Sequence, residues 1–182
     1  MYGPRVDVLV VAATARELEC ADGARTLTCG IGPVEAAIAV GRAFAERPPE
    51  AVVLVGLAGG RGIAPGTIVL GSESLYCDLR ADVHVARRAL PEARLLEAAH
   101  GALPEARVQA IGTSAAVGGT TGCDVEAMEG FAVLRAAELA GVAAVELRAV
   151  SNEIDEPDRS RWDFDRGLAA LEDAVPRLLA AL

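Results

Sequence analysis

Ala51-Val52-Val53-Leu54-Val55-Gly56-Leu57-Ala58-Gly59-Gly60 holds the most informative stretch of this chain. Its first five residues are apolar without alternation, so an extended chain here must be covered on both faces. That is the pattern of a central strand in an α/β protein. The following residues, 56–60, carry too little side chain to be a core element and read as a glycine loop. A loop at the end of such a strand is where α/β sheets bind ligands.

The same grammar repeats on either side. Residues 6–12 form a short apolar run, a second buried strand, after which Thr14 can cap a short helix through Glu19. A strand over 25–29 leads into Gly30-Ile31-Gly32-Pro33 and an alanine-rich helix to about Glu46. Pro33 suits the first helical turn, where its missing N–H is not needed. Further strands are predicted at 67–75, 108–111, 124–128 and 142–150. The strand at 108–111 is followed by a small-residue loop through Gly122. Helices are predicted in part of 81–100, broken at Pro91, over 129–140 with Gly141 as its stop, and over 164–182 with a kink at Pro176. Strands alternating with helices predict a three-layer α/β/α domain spanning residues 1–182, with a mixed, largely parallel central sheet.

Composition narrows the function. The 182 residues suffice for one sizeable core, and 52% hydrophobic content excludes disorder. Aromatics are only 3%, so the core must be built from Ala, Val, Leu and Ile. A net charge of −9 makes nucleic acid and anionic membrane surfaces poor partners. No apolar stretch reaches the ~18–20 residues of a membrane span, and residues 1–11 lack a secretory pattern, so a cytoplasmic location is expected. Cys20, Cys29, Cys77 and Cys123 form no C-x-x-C pair and are expected as free thiols. His84 and His100 lie far from any cysteine pair, so no metal site is expected. Neither histidine sits in a motif and no G-x-S-x-G elbow occurs, which disfavours Ser-His-Asp chemistry.

Three features could carry chemistry: Glu17 just past the first strand, the two glycine segments, and the cluster Glu126-Ala127-Met128-Glu129 with Ser151-Asn152 later. Singly, each has an ordinary reading. A Glu on a short helix is usually solvated, as are Glu126, Glu129, Arg16 and Arg61. Met128 is usually core, and a glycine loop before a helix is as often a tight turn as an anion cradle.

As an ordered set they resemble the purine nucleoside phosphorylase and nucleosidase superfamily. Val8-Leu9-Val10-Val11-Ala12-Ala13 with Glu17 is similar to its first strand and catalytic glutamate. Gly30-Ile31-Gly32 and Gly56-Leu57-Ala58-Gly59-Gly60 are similar to its two glycine segments, and the stretch 124–129 to its ribose-binding Met-Glu signature. Arg148-Ala149-Val150-Ser151-Asn152, followed by Pro157-Asp158-Arg159-Ser160-Arg161-Trp162, resembles the futalosine hydrolase branch. Members are usually longer, the stretch 79–109 is short here, and the usual aromatic platform for the base is not evident: Phe131 falls inside a helix, leaving Trp162.

The resemblance implies a nucleoside phosphorylase-like fold and a purine nucleoside substrate, with no cofactor and a homo-oligomer of two or more chains. It implies that Glu17 activates water, Glu129 binds the ribose hydroxyls, Met128 packs beneath the sugar and Asn152 contacts the base. Gly30, Ile31, Ala58 and Gly59 would complete the substrate site. Adenosine-type nucleosidases of the superfamily carry Asp where this chain has Asn152, so the implied base is a 6-oxopurine. The implied reaction converts futalosine to hypoxanthine and dehypoxanthinyl futalosine, in menaquinone biosynthesis. A methylthioadenosine/adenosylhomocysteine-type nucleosidase, a phosphorylase and a non-catalytic nucleotide-binding relative remain open at this point.

Overall fold

The structure, a computed structural model, describes residues 6–118 and 121–182. Gly119 and Thr120, inside the expected small-residue loop, lie outside the described residues, as do residues 1–5. The strands are β1 (Val8–Ala12), β2 (Arg25–Thr28), β3 (Ala51–Gly60), β4 (Ile68–Tyr76), β5 (Arg88–Ala89), β6 (Arg107–Thr113), β7 (Val125–Ala127) and β8 (Ala143–Glu153). The helices are α1 (Pro33–Glu46), α2 (Ala93–Ala102), α3 (Gly130–Ala140) and α4 (Phe164–Ala180), with 3₁₀ turns at Arg16–Ala21 and Arg159–Arg161.

The unbroken apolar strands have the expected cause. Successive side chains of an extended chain point to opposite faces. Leu9, Val11, Val52 and Leu54 pack with Ala36 and Val40 of α1 and Val133 and Leu134 of α3. Val10, Ala12, Val53 and Val55 face the other way, onto Leu171, Val175 and Leu178 of α4 and Ala99 of α2. These two apolar layers make the architecture three-layer α/β/α.

β1 pairs in parallel with β2 and β3, and β3 in parallel with β8 along its whole length. The sheet is mixed because β4 runs antiparallel to β8, and β7 antiparallel to β3. The pairings β3–β8, β8–β4, β4–β6, β6–β7 and β7–β3 close a ring of strands. Ala58, Ile63, Val69, Ile111, Val125 and Val150 form a small third core associated with that ring.

Residues 56–60 are not a loop. They continue β3, pairing from Gly56 opposite Arg148 to Gly60 opposite Glu153. The glycines make room for neighbours rather than for a turn. A Cβ on Gly56 would lie 2.6 Å from Arg148 Nη1 and 2.9 Å from Glu17 Oε1, and one on Gly60 2.9 Å from Val150 Cγ1. The helix expected within 81–100 begins only at Ala93, where the Glu92 side chain accepts from the Leu95 N–H at 2.8 Å as its N-cap. β8 outruns its expected end by three residues, to Glu153, which puts Asn152 within the strand. Gly141 ends α3 in the left-handed conformation, φ 68°. α4 runs through Pro176.

Candidate active site

β3 and β8 deliver their C-terminal halves to one cavity of about 450 Å³. That volume suits a nucleoside-sized ligand. Glu17, Ile31, Ala58, Gly59, Met128, Glu129 and Asn152 all line it, drawn from five different segments of chain. Gly30 does not; it borders a separate groove along α1 with Glu35 and Arg42.

Glu17 is 8% exposed although it stands in a surface 3₁₀ turn. Its Oε2 accepts from the Thr14 N–H at 3.0 Å and the Thr14 hydroxyl at 2.7 Å, and its Oε1 accepts from the Leu57 N–H at 2.9 Å. Thr14 also caps the turn as expected: its hydroxyl accepts from the Glu17 N–H at 3.4 Å while Glu17 accepts from the Thr14 N–H, a reciprocal capping box, and Ala15 between them makes no side-chain hydrogen bond.

Glu129 is 3% exposed at the N-cap of α3. Its Oε1 accepts from the Gly32 N–H at 3.0 Å, and its Oε2 from Arg148 Nη2 at 3.1 Å. The glycine turn before α1 therefore commits the Gly32 N–H to a protein carboxylate. Arg148 is 1% exposed and spans the site, with Nε donating to Glu146 Oε1 at 2.9 Å and Nη1 reaching the Leu57 carbonyl at 3.4 Å. Burial alone would lower the guanidinium pKa. The charges of Glu146 and Glu129 outweigh it and hold Arg148 above its ordinary value.

Asn152 is 7% exposed. Its Oδ1 accepts from the Ser151 hydroxyl at 2.8 Å, and its Nδ2 donates to the Glu153 carbonyl at 3.0 Å. Each polar atom keeps further hydrogen-bonding capacity. Glu126, buried on β7, accepts from the Gly118 N–H at 2.9 Å and so holds Ala116, Val117 and Gly118 against the cavity.

Trp162 and Phe164, rings 5.6 Å apart, supply the cavity's aromatic surface, and the Arg159 guanidinium lies 5.5 Å from the Trp162 ring centre. Phe131 is occupied elsewhere, stacked on Tyr76 at 5.1 Å. Cys29 is no nucleophile: burial, then the nearby Glu129 charge, pushes its thiol up to about 12.

Sequence reasoning missed Arg148 and Glu146 as site groups. Their signal was present: Glu146-Leu147-Arg148 places two opposite charges two residues apart, hence on one face, inside a strand predicted to be buried. A buried charge at such a position has to be paired.

The profile of the phosphorylase superfamily matches residues 23–182, and the chain belongs to that superfamily. A futalosine hydrolase from Streptomyces coelicolor is 35% identical over 88% of this chain and 80% of its own length. A futalosine hydrolase from Thermus thermophilus is 33% identical over 85% and 80%. Within the superfamily, the chain is a member of the futalosine hydrolase family. Among solved structures, the 5′-methylthioadenosine/S-adenosylhomocysteine nucleosidase of Colwellia psychrerythraea, bound to adenine, superposes with a TM-score of 0.88 at 18% identity, covering 100% of this chain and 98% of that one. That of Neisseria meningitidis, bound to methylthio-immucillin-A, gives 0.84 at 22%, covering 96% and 99%. At that identity the likeness establishes the fold.

Proposed function

We propose that this chain hydrolyses the N-glycosidic bond of a 6-oxopurine nucleoside of the futalosine type, releasing hypoxanthine and dehypoxanthinyl futalosine for menaquinone biosynthesis. The observation that carries this reading is the convergence of the Glu17 carboxylate and the Arg148 guanidinium over Gly56, with Glu129 bonded to the same guanidinium.

Breaking the bond leaves positive charge on the sugar. Glu17, held by three donors, takes the proton of a water attacking C1′; a positioned base contributes roughly 10²–10⁴-fold. Glu129 uses its remaining lone pairs for the 2′- and 3′-hydroxyls, in charge-assisted bonds that strengthen as the sugar becomes cationic. Met128 gives the ribose an adaptable apolar floor, while Trp162 and Phe164 offer flat apolar surface.

Asn152 selects the base. Its amide donates to O6 of hypoxanthine and accepts from a protonated N7. A carboxylate there would face a lone pair, at a cost of about 1–3 kcal/mol. Phosphorolysis is the weaker reading, because the Gly32 N–H that could serve an anion already serves Glu129.

Ile31, Val34 and Ile38 stand 58–66% exposed at the start of α1, with Ile31 at the cavity mouth. They support a homo-oligomer in which a second copy covers this face. Among the described residues no helix is long and apolar enough to cross a membrane. With the acidic charge, that fits action on a small molecule in the cytoplasm.

The test compares base release from futalosine and methylthioadenosine by wild type and Asn152→Asp. Wild type should favour futalosine, and the variant's ratio of kcat/KM should move toward the 6-amino base. A wild type that prefers methylthioadenosine, or a ratio indifferent to the substitution, refutes the base assignment.

A further inference from the structure

Glu146 is wholly buried, does not line the cavity, and yet is bonded to a residue that does. It stands on β8 two residues before Arg148, so both side chains leave the same face of the strand. One carboxylate oxygen accepts from Arg148 Nε at 2.9 Å, and the other accepts from the buried Ser74 hydroxyl on β4. The carboxylate fills the space above Gly130, where any Cβ would overlap it. Gly130 directly follows Glu129 and opens α3, so no other residue type fits that turn without moving Glu146.

We infer that Glu146 is a positioning residue for the sugar-binding carboxylate: it anchors the Nε edge of Arg148, and thereby sets where Arg148 Nη2 holds Glu129. The inference rests on the proposed role of Glu129 as the ribose-binding group.

The geometry has two consequences. A guanidinium is a rigid planar fork, so fixing its Nε edge against Glu146 fixes the direction of both Nη groups. Arg148 then reaches Glu129 through Nη2 and the Leu57 carbonyl through Nη1 without freedom to turn. Second, Arg148 is shared between two carboxylates. Glu129 keeps more of its negative charge for the sugar than it would in a private ion pair. A pocket that must stabilise a cationic sugar gains from both.

A purely structural buried ion pair predicts something different. Its loss would lower stability and leave the balance between sugar and base recognition alone. Glu146→Gln retains the side-chain volume and an acceptor for Arg148 Nε, but removes the charge. Binding of two probes, measured by calorimetry, separates the cases: a cationic iminoribitol, which mimics the charged sugar, and free hypoxanthine.

The expected result is a loss of at least tenfold in iminoribitol affinity, with hypoxanthine affinity within twofold of wild type. In the nucleosidase assay, kcat should fall on the order of 10- to 100-fold, the scale of a reacting group displaced by about 1 Å, with KM changed less. Should Glu146→Gln not fold, Ser74→Ala removes the other anchor of Glu146 and should show the same selective loss, at about threefold or more. Unchanged probe selectivity and kcat in both variants overturn the inference, even if their melting temperatures fall. A wild type that binds neither probe overturns the reading of the site together with it.

Discussion

Replacing Arg148 by methionine removes the only guanidinium bonded to Glu129 and Glu146 among the described residues, while retaining much of the side chain's length. The two carboxylates left behind are 3% and 0% exposed. Breaking a buried ion pair by deleting one partner costs about 3–5 kcal/mol. A domain of this size loses about 2–4 °C of Tm per kcal/mol, so the melt should fall by about 6–20 °C. The pH dependence has a definite sign. In wild type the raised Arg148 pKa means its contribution is fully present below the ordinary arginine value, and is lost only as pH rises through the elevated one. Across pH 5–9 the wild-type pair therefore does not titrate through its arginine. Calorimetric melts of the two proteins measure the deficit. A deficit under about 2 °C would mean that Arg148 does not hold these carboxylates.

Glu17→Gln should lower kcat by about 10²–10⁴-fold, since an amide cannot take a proton from water, and should lower the melt by only a few degrees, because one backbone donor, Thr14 or Leu57 N–H, then meets its NH₂ at a cost of about 1–3 kcal/mol; near-normal turnover would remove Glu17 from the chemistry. Gly56→Ala should abolish measurable turnover, because the new Cβ meets both Arg148 Nη1 and Glu17 Oε1 inside 3 Å; an active variant would show that their convergence over Gly56 is not required. Ile38→Asp should shift the light-scattering mass toward a monomer and weaken activity, as its exposed side chain belongs to the apolar face assigned to a second copy; a monomeric wild type at full activity contradicts that assignment.

The layering was legible in the sequence because it depends on one repeated signal. Strands such as Val52-Val53-Leu54-Val55 can be apolar at every position only when both faces are covered, and the two opposed cores meet that condition. The acidic site residues were legible as an ordered set and not singly: Thr14 and Glu17 locally read as an ordinary helix start, and the bond that ties Glu17 to the site comes from Leu57, beyond β2 and α1 in the chain. Residues 56–60 read as a loop because a stretch without side chains carries no apolar pattern to mark its pairing. Their backbone is fully engaged with β8, and the missing side chains leave space that Arg148, Glu17 and Asn152 occupy. The span before Ala93 misled because its composition permits a helix, while the cap that starts one is Glu92, just past Pro91. Glu146 was legible only as a buried charge paired with Arg148; its other contacts were not, because Ser74 and Gly130 reach it from 72 and 16 positions away in sequence.

The most direct test incubates the purified protein with futalosine, with and without phosphate, while chromatography quantifies hypoxanthine and mass spectrometry weighs the sugar product. Hydrolysis through Glu17 predicts one hypoxanthine per nucleoside consumed, the same rate in both buffers, and a sugar bearing a hydroxyl at C1′. A strict need for phosphate with a sugar 1-phosphate as product, or no release of hypoxanthine at all, would contradict it.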